Sequence, residues 1–186
     1  WMNKRQISSL FIRSRVNYAW LTTGGESMVT RNTSLGDGLV VVTADHLYLI
    51  AHSMDLQRLM DEQSFGTPFE PVLMHWYEGN LESRAFALAD KGQIAADYDV
   101  TGTINVFGEL VDLHWPLNQL EIERTIALAE TMDAILYETA RRIEPGMSEI
   151  AAAAILRKLE IDYQIEADTL MVGAHSRNLK YRHPLP

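Results

Sequence analysis

The hydrophobic period changes once along this chain, at His114-Trp115-Pro116-Leu117, and that change constrains the fold more than any other feature. Before it, apolar residues come in short runs separated by Gly, Pro, Ser and Asp, the pattern of strands and brief helices. After it, Ile122, Ile126, Ala129, Leu136, Ala140 and Ile143 recur on one helical stripe, flanked by Leu128, Met132 and Ile135. Glu121, Glu123, Arg124, Glu130, Glu138 and Arg141 lie mostly off that stripe. A helix from Leu120 to Ile143 would be about 36 Å long at 1.5 Å per residue. Pro116 does not fit inside such a helix, so a domain boundary is predicted near 114–119. An α/β domain is expected over residues 1–114 and a second, helical beginning over 118–186.

Within the first part, Ser9 to Ile12 and Tyr18 to Leu21 are compact apolar runs, while Met2 to Gln6 is too short for a helix. Leu39-Val40-Val41-Val42-Thr43 is the strongest strand signal, with Gly36-Asp37-Gly38 read as a turn before it. Ala44-Asp45-His46 is a tight connection into Leu47 to Ala51, so 39–51 reads as a hairpin. Ser53 is expected to cap a short helix in which Leu56, Leu59 and Met60 share a face. A strand over Pro71 to Tyr77, a helix over Leu81 to Ala89 and a strand over Gln93 to Ala96 complete the pattern. Strands separated by helices predict an α/β layer, and the hairpin makes its sheet mixed.

In the second part, Pro145-Gly146 ends the long helix and Ser148 can cap another through Ile150, Ala154, Ile155 and Leu159. Thr169 to Val172 reads as a buried strand ending at Gly173. Lys180 to Pro186 carries no helix or strand pattern. Two helices and one strand do not close a core, which predicts that the chain is part of a longer protein. Trp1 ahead of Met2 predicts that the native start lies elsewhere.

Composition narrows the function classes. Sixteen Lys and Arg against 25 Asp and Glu give a net charge of −9, which makes phosphate backbones and anionic membranes poor partners. The absence of cysteine removes disulfides, thiolate zinc sites and cysteine nucleophiles. No apolar run, Leu39 to Val42 included, approaches the roughly 20 residues needed to span a bilayer. A cytoplasmic protein with no nucleic-acid or membrane partner is the expectation.

Sharp catalytic motifs are missing: there is no HExxH, GxSxG, GxxxxGK[ST] or GxGxxG. Among the six histidines, His46 and His52, with Asp45 and Asp55 nearby, flank a strand and need not converge. His75, inside an apolar run, reads as an edge or satisfied core imidazole. Glu121/Glu123 and Glu160/Asp162/Glu166 read as solvated helix faces. His183 stands apart, because it lies in a loop beyond a predicted buried strand and Pro184 restricts its backbone.

The order of several elements carries a resemblance. Asn17-Tyr18-Ala19-Trp20-Leu21-Thr22 is followed by the hairpin 39–51, by Arg58 with Asp61-Glu62, and by the helix containing Glu121-Ile122-Glu123-Arg124. Glu144-Pro145-Gly146-Met147-Ser148-Glu149 and a Val-Gly element leading to His183 complete the series. Nearly the whole chain resembles the creatinase/Xaa-Pro aminopeptidase family of pita-bread metallopeptidases.

The resemblance implies a creatinase-like amino-terminal mixed sheet with flanking helices over 1–114, then the first helices and strand of an incomplete pita-bread domain. It implies a parent that is a homodimeric hydrolase of peptides with proline at the second position. That parent would use two divalent ions (manganese, cobalt or zinc) held by residues beyond His183. It assigns His183 a substrate-binding role, and no catalytic residue or metal ligand to residues 1–186, which are therefore expected to be inactive alone. A metal-free binding or dimerisation module and a creatinase-like C–N hydrolase are alternatives on the same fold.

Overall fold

Four consecutive apolar residues, Leu39 to Val42, belong in a strand only if both faces of its sheet are covered. The computed structural model, which describes residues 1–186, builds such a sheet in the first of two units, Trp1–Pro116; the second is Leu117–Pro186. In chain order the first unit contains α1 (Met2–Arg5), β1 (Ile7–Ser14), α2 (Arg15–Leu21), β2 (Leu35–Val42), β3 (Leu47–His52) and α3 (Leu56–Glu62). It continues with β4 (Glu70–Met74), α4 (Leu81–Leu88), β5 (Gln93–Ala96), β6 (Ile104–Asn105) and α5 (Phe107–His114).

The strands form one mixed sheet in the order β4-β3-β2-β1-β5-β6. β1–β2 and β2–β3 are antiparallel; β3–β4, β1–β5 and β5–β6 are parallel. The expected hairpin is present, with Leu39 opposite Ile50 and Val40 opposite Leu49, and its turn closed by Thr43 N–H donating to His46 O at 3.0 Å.

Side chains alternate between two cores, as the two-residue period of a strand requires. Leu10, Ile12, Val40, Leu49, Ala51 and Ala95 pack on one face with Tyr18 of α2, Leu56 and Leu59 of α3, and Leu110 of α5. Phe11, Leu39, Val41, Ile50 and Ala96 pack on the other with Leu81 and Ala85 of α4. Phe11 is wholly buried and meets Phe86 edge-on, ring centroids 5.2 Å apart.

Several local expectations are corrected. Met2–Arg5 does form a single helical turn, ended by Gln6 with a left-handed φ of 56°. The apolar run Tyr18 to Leu21 lies in helix α2, which Ser14 caps by accepting from Asn17 N–H. Gly36-Asp37-Gly38 lies inside β2, not in a turn before it. A Cβ on Gly36 would fall 2.1 Å from Ser27 Oγ, so close passage of the 27–28 segment demands glycine there. α3 begins after Asp55 rather than Ser53. β4 stops at Met74, leaving His75-Trp76-Tyr77 in a turn where Trp76 and Tyr77 are exposed. β6 and α5 carried no clear sequence signal.

The second unit contains α6 (Gln119–Arg142), α7 (Glu149–Asp162) and α8 (Ser176–Lys180). Asn118 and Glu121 form a reciprocal capping box at the start of α6, and Ser148 caps α7 by accepting from Ala151 N–H. Ile135 and Thr139 are the buried residues of α6, whereas Ile122, Ile126, Leu136 and Ile143 on the predicted stripe are exposed. The predicted strand Thr169 to Val172 does not form. No second strand lies beside it, and Val172 N–H instead donates to Pro184 O at 3.1 Å, pairing two irregular segments. No helix is long and apolar enough to cross a membrane.

Phe11→Ala should cost about 3–5 kcal/mol in urea unfolding, the range for emptying a filled aromatic site. Burial raises the Tyr18 phenol to about 12, against a smaller opposing pull from Arg58. Below pH 10 neither state ionises, so this contribution is fully present there. It should be lost from pH 10 to 12, where the unfolded phenol ionises and the native one does not. Stability across that window, followed by urea titration, should fall less steeply in Tyr18→Phe.

Candidate functional site

The most heavily hydrogen-bonded polar cluster lies where β1 and β5 end side by side. Asp97, 2% exposed, follows β5 immediately. Its Oδ1 accepts from Arg13 N–H at 2.8 Å, and its Oδ2 from Ser14 Oγ–H at 2.5 Å and Asn17 Nδ2–H at 3.0 Å. Ser14 N–H adds a further bond at 3.1 Å. A buried carboxylate is tolerable only with such a set of donors. The Arg13 guanidinium turns outward to Glu82 Oε1 at 2.5 Å, and Tyr98 O–H donates to the same oxygen at 3.1 Å. Burial, then the Glu82 charge, pushes the Tyr98 phenol well above its ordinary value.

In a sheet with parallel neighbours, the carboxyl ends of strands are where ligands commonly bind. Here a depression of about 300 Å³ is lined by Tyr98, Asp99, Thr101 and Asn105. Asn105 Nδ2–H donates to Asp99 at 2.7 Å, and Tyr98 is held by Glu82. The cluster therefore joins β1, α2 and β5, with its charges consumed internally. Sequence reasoning passed over Asp97, whose only signal was an acid directly after the Ala95-Ala96 strand end.

The histidines disperse. His46 Nδ1 lies 2.7 Å from Glu70 Oε1, and that hydrogen bond raises its pKa. His52 sits at the end of β3, its Nδ1 buried without a hydrogen-bond partner. His75 stacks on Tyr77 at 5.3 Å, in a turn rather than at a strand edge. Asp55 is pushed up by burial and then by Asp37, with Arg58 opposing both. The Arg58 charge thus already acts on Asp55, and Arg58 also donates to Met28 O at 3.2 Å.

No three His, Asp or Glu side chains within these residues converge to hold a metal ion. The donor set here does not fit the two divalent ions that the resemblance implies. Among the predicted helix-face acids, Glu121 serves the cap of α6 and Glu123 accepts from Gln119 at 2.9 Å. Glu160 corrects its expectation: it is 3% exposed rather than solvated, and Arg157 pairs with it at 2.8 Å.

The quoted motifs have visible structural duties. Tyr18 fills the core, Thr22 Oγ1–H donates to Tyr18 O at 2.8 Å, and Thr22 Oγ1 accepts Gly25 N–H at 2.9 Å. The Trp20 ring lies 5.3 Å from that of His114, tilted by 31°. Glu144 to Glu149 forms the turn from α6 to α7. His183 is exposed in the irregular segment after α8, not after a strand.

Protein-family models and curated proteins gave no match to this sequence. Solved structures do resemble it. A prolidase from Pyrococcus furiosus superposes with TM-score 0.62 at 16% identity, over 87% of this chain and 47% of its own. Recombinant prolidase from Thermococcus sibiricus gives TM-score 0.66 at 15% identity, over 90% of this chain and 48% of its own. X-Pro aminopeptidase from Thermotoga maritima MSB8 gives 0.59 at 17%, over 86% and 48%. The chain spans about half the length of these structures, and the matched share exceeds what Trp1–Pro116 alone could supply.

Asp97→Ala would leave two backbone N–H groups and two side-chain donors at a buried site unpaired. It should destabilise the first unit by more than about 3 kcal/mol in chemical denaturation. Over nearly nine-tenths of its residues, then, this chain has the creatinase/Xaa-Pro peptidase fold that prolidases and an X-Pro aminopeptidase share.

Proposed function

We propose that these residues are the amino-terminal portion of a metal-dependent Xaa-Pro aminopeptidase or dipeptidase. The observation that carries the reading is the extent of the likeness: it runs past the sheet-containing unit and covers about half of each prolidase. On this reading residues 1–116 shape the substrate pocket and a homodimer contact, and residues 117–186 open the catalytic lobe. The substrate is a peptide with proline at its second position, and His183 contacts it. Its exposed ring suits a hydrogen bond to a peptide carbonyl or amine, for which no rearrangement of a buried core is needed. The working compartment would be the cytoplasm.

The side chains in 1–186 do not form a metal site. Two divalent cations (manganese, cobalt or zinc) would therefore need ligands from outside these residues.

The test compares 1–186 with the polypeptide encoded around it, each given Ala-Pro and manganese, with proline release followed by chromatography. Residues 1–186 should release none. The encoded polypeptide should release proline in a metal-dependent manner, and its His183→Ala variant should show a raised KM. Release by 1–186 itself would overturn the reading. An encoded polypeptide without bound metal by elemental analysis, and without turnover, would favour the metal-free binding module instead.

A further inference from the structure

The second unit holds one ion-pair arrangement that no helix cap or surface pairing explains. Glu149, the first residue of α7, has a side chain only 15% exposed. A carboxylate there gains from the helix amino terminus in any case. Yet both its oxygens reach across about 25 residues of sequence. Oε1 accepts Ala174 N–H at 2.7 Å, and Oε2 takes the Arg177 guanidinium. Through its other terminal nitrogen Arg177 donates to Leu185 O at 2.7 Å.

These contacts surround His183. Leu185 O lies two residues beyond it, and Pro184 O, one residue beyond, accepts Val172 N–H at 3.1 Å. The neck of the loop is closed where Gly173 passes Pro184: a Cβ on Gly173 would lie 2.6 Å from Pro184 Cγ and 2.2 Å from Asn178 Oδ1. Both carbonyls after His183 are thus tethered, while its own ring remains exposed.

We infer that Glu149 and Arg177 are positioning residues that fix the His183 loop for substrate contact. The inference rests on the peptidase reading for what His183 touches, and on the hydrogen bonds above for how the loop is held. Chemistry limits the replacements. Arg177 bridges a carboxylate and a carbonyl at once, which a planar guanidinium does with separate N–H groups. A lysine ammonium is a compact point charge without that planar fork. Glutamine at 149 offers one acceptor where two are used, and presents N–H groups to a donor.

The test uses residues 1–186 with ¹⁵N-labelled histidine and amide exchange. In the wild-type chain, Val172 and Ala174 amides should exchange slowly and His183 should give one set of ring resonances. In Glu149→Gln and in the milder Arg177→Lys, exchange at both amides should quicken by about tenfold or more, as expected for one lost charge-assisted bond. The His183 ring signals should move toward those of a free peptide. Amides of Ile135 and Leu159 should keep their protection, which shows that the helices still fold. The charge-exchanged pair E149R/R177E should stay loosened, because an arginine at 149 cannot accept Ala174 N–H and a glutamate at 177 cannot donate to Leu185 O.

Unchanged exchange and unchanged His183 signals in both single variants would overturn the inference. So would a loosened loop with the His183 ring unmoved, since the clasp would then hold backbone alone. Titration of the polypeptide encoded around 1–186, given manganese, with Ala-Pro separates the two layers. If the dipeptide leaves the wild-type His183 ring unaffected, the peptidase reading loses its contact residue, and the exchange and ring-signal results still decide whether Glu149 and Arg177 position it.

Discussion

Covering both faces of one sheet is the requirement on which the first unit depends. The central strands carry apolar residues at successive positions, so an uncovered face would expose half of Leu39, Val40, Val41, Leu49, Ile50 and Ala51 to water. α4 covers one face; α2, α3 and α5 cover the other. That division dictates the connections. The parallel pairs β3–β4 and β1–β5 require crossovers, while the antiparallel hairpin β2–β3 needs only a tight turn. Glycine appears within β2 where a neighbouring segment passes too close for a side chain.

The Asp97 knot fastens this arrangement at the point where β1 gives way to α2. One carboxylate satisfies the backbone of Arg13 and Ser14 and the side chains of Ser14 and Asn17. Because β1 and β5 are neighbours only in the folded sheet, the bond set spans more than 80 residues of sequence. Its position at a strand end is that of a ligand site, but the Asp97 carboxylate is spent on its neighbours, and of the knot's side chains Asn17 Oδ1 is left buried without a partner.

That second unit reads differently. α6 and α7 pack through Ile135, Thr139, Ala152, Ala153 and Leu159, while much of the α6 stripe stays in water. After α7 the chain makes no sheet. Its order comes from directed polar contacts: Glu149 with Ala174 and Arg177, Arg177 with Leu185, Val172 with Pro184. A loop held by a few directed bonds, with an exposed imidazole on it, can present a side chain where a buried core could not.

The sequence by itself determined the mixed α/β class, the 39–51 hairpin, the strand Gln93–Ala96 and the two long helices with the Ser148 cap of the second. Each is decided within a few neighbouring residues, by side-chain period or by a cap reaching three positions ahead. The order of its motifs also carried the family likeness. Only the tertiary structure decided that Thr169 to Val172 is not a strand, since apolar composition fits a strand but cannot supply a hydrogen-bonding neighbour. It likewise decided that Glu160 is buried, that Ile135 rather than Ile122 or Ile126 faces a partner helix, and that Asp97, Glu149 and Arg177 are anchors. Those outcomes depend on which distant segments meet, and a carboxylate's partners 25 or 80 residues away leave no mark on its local pattern.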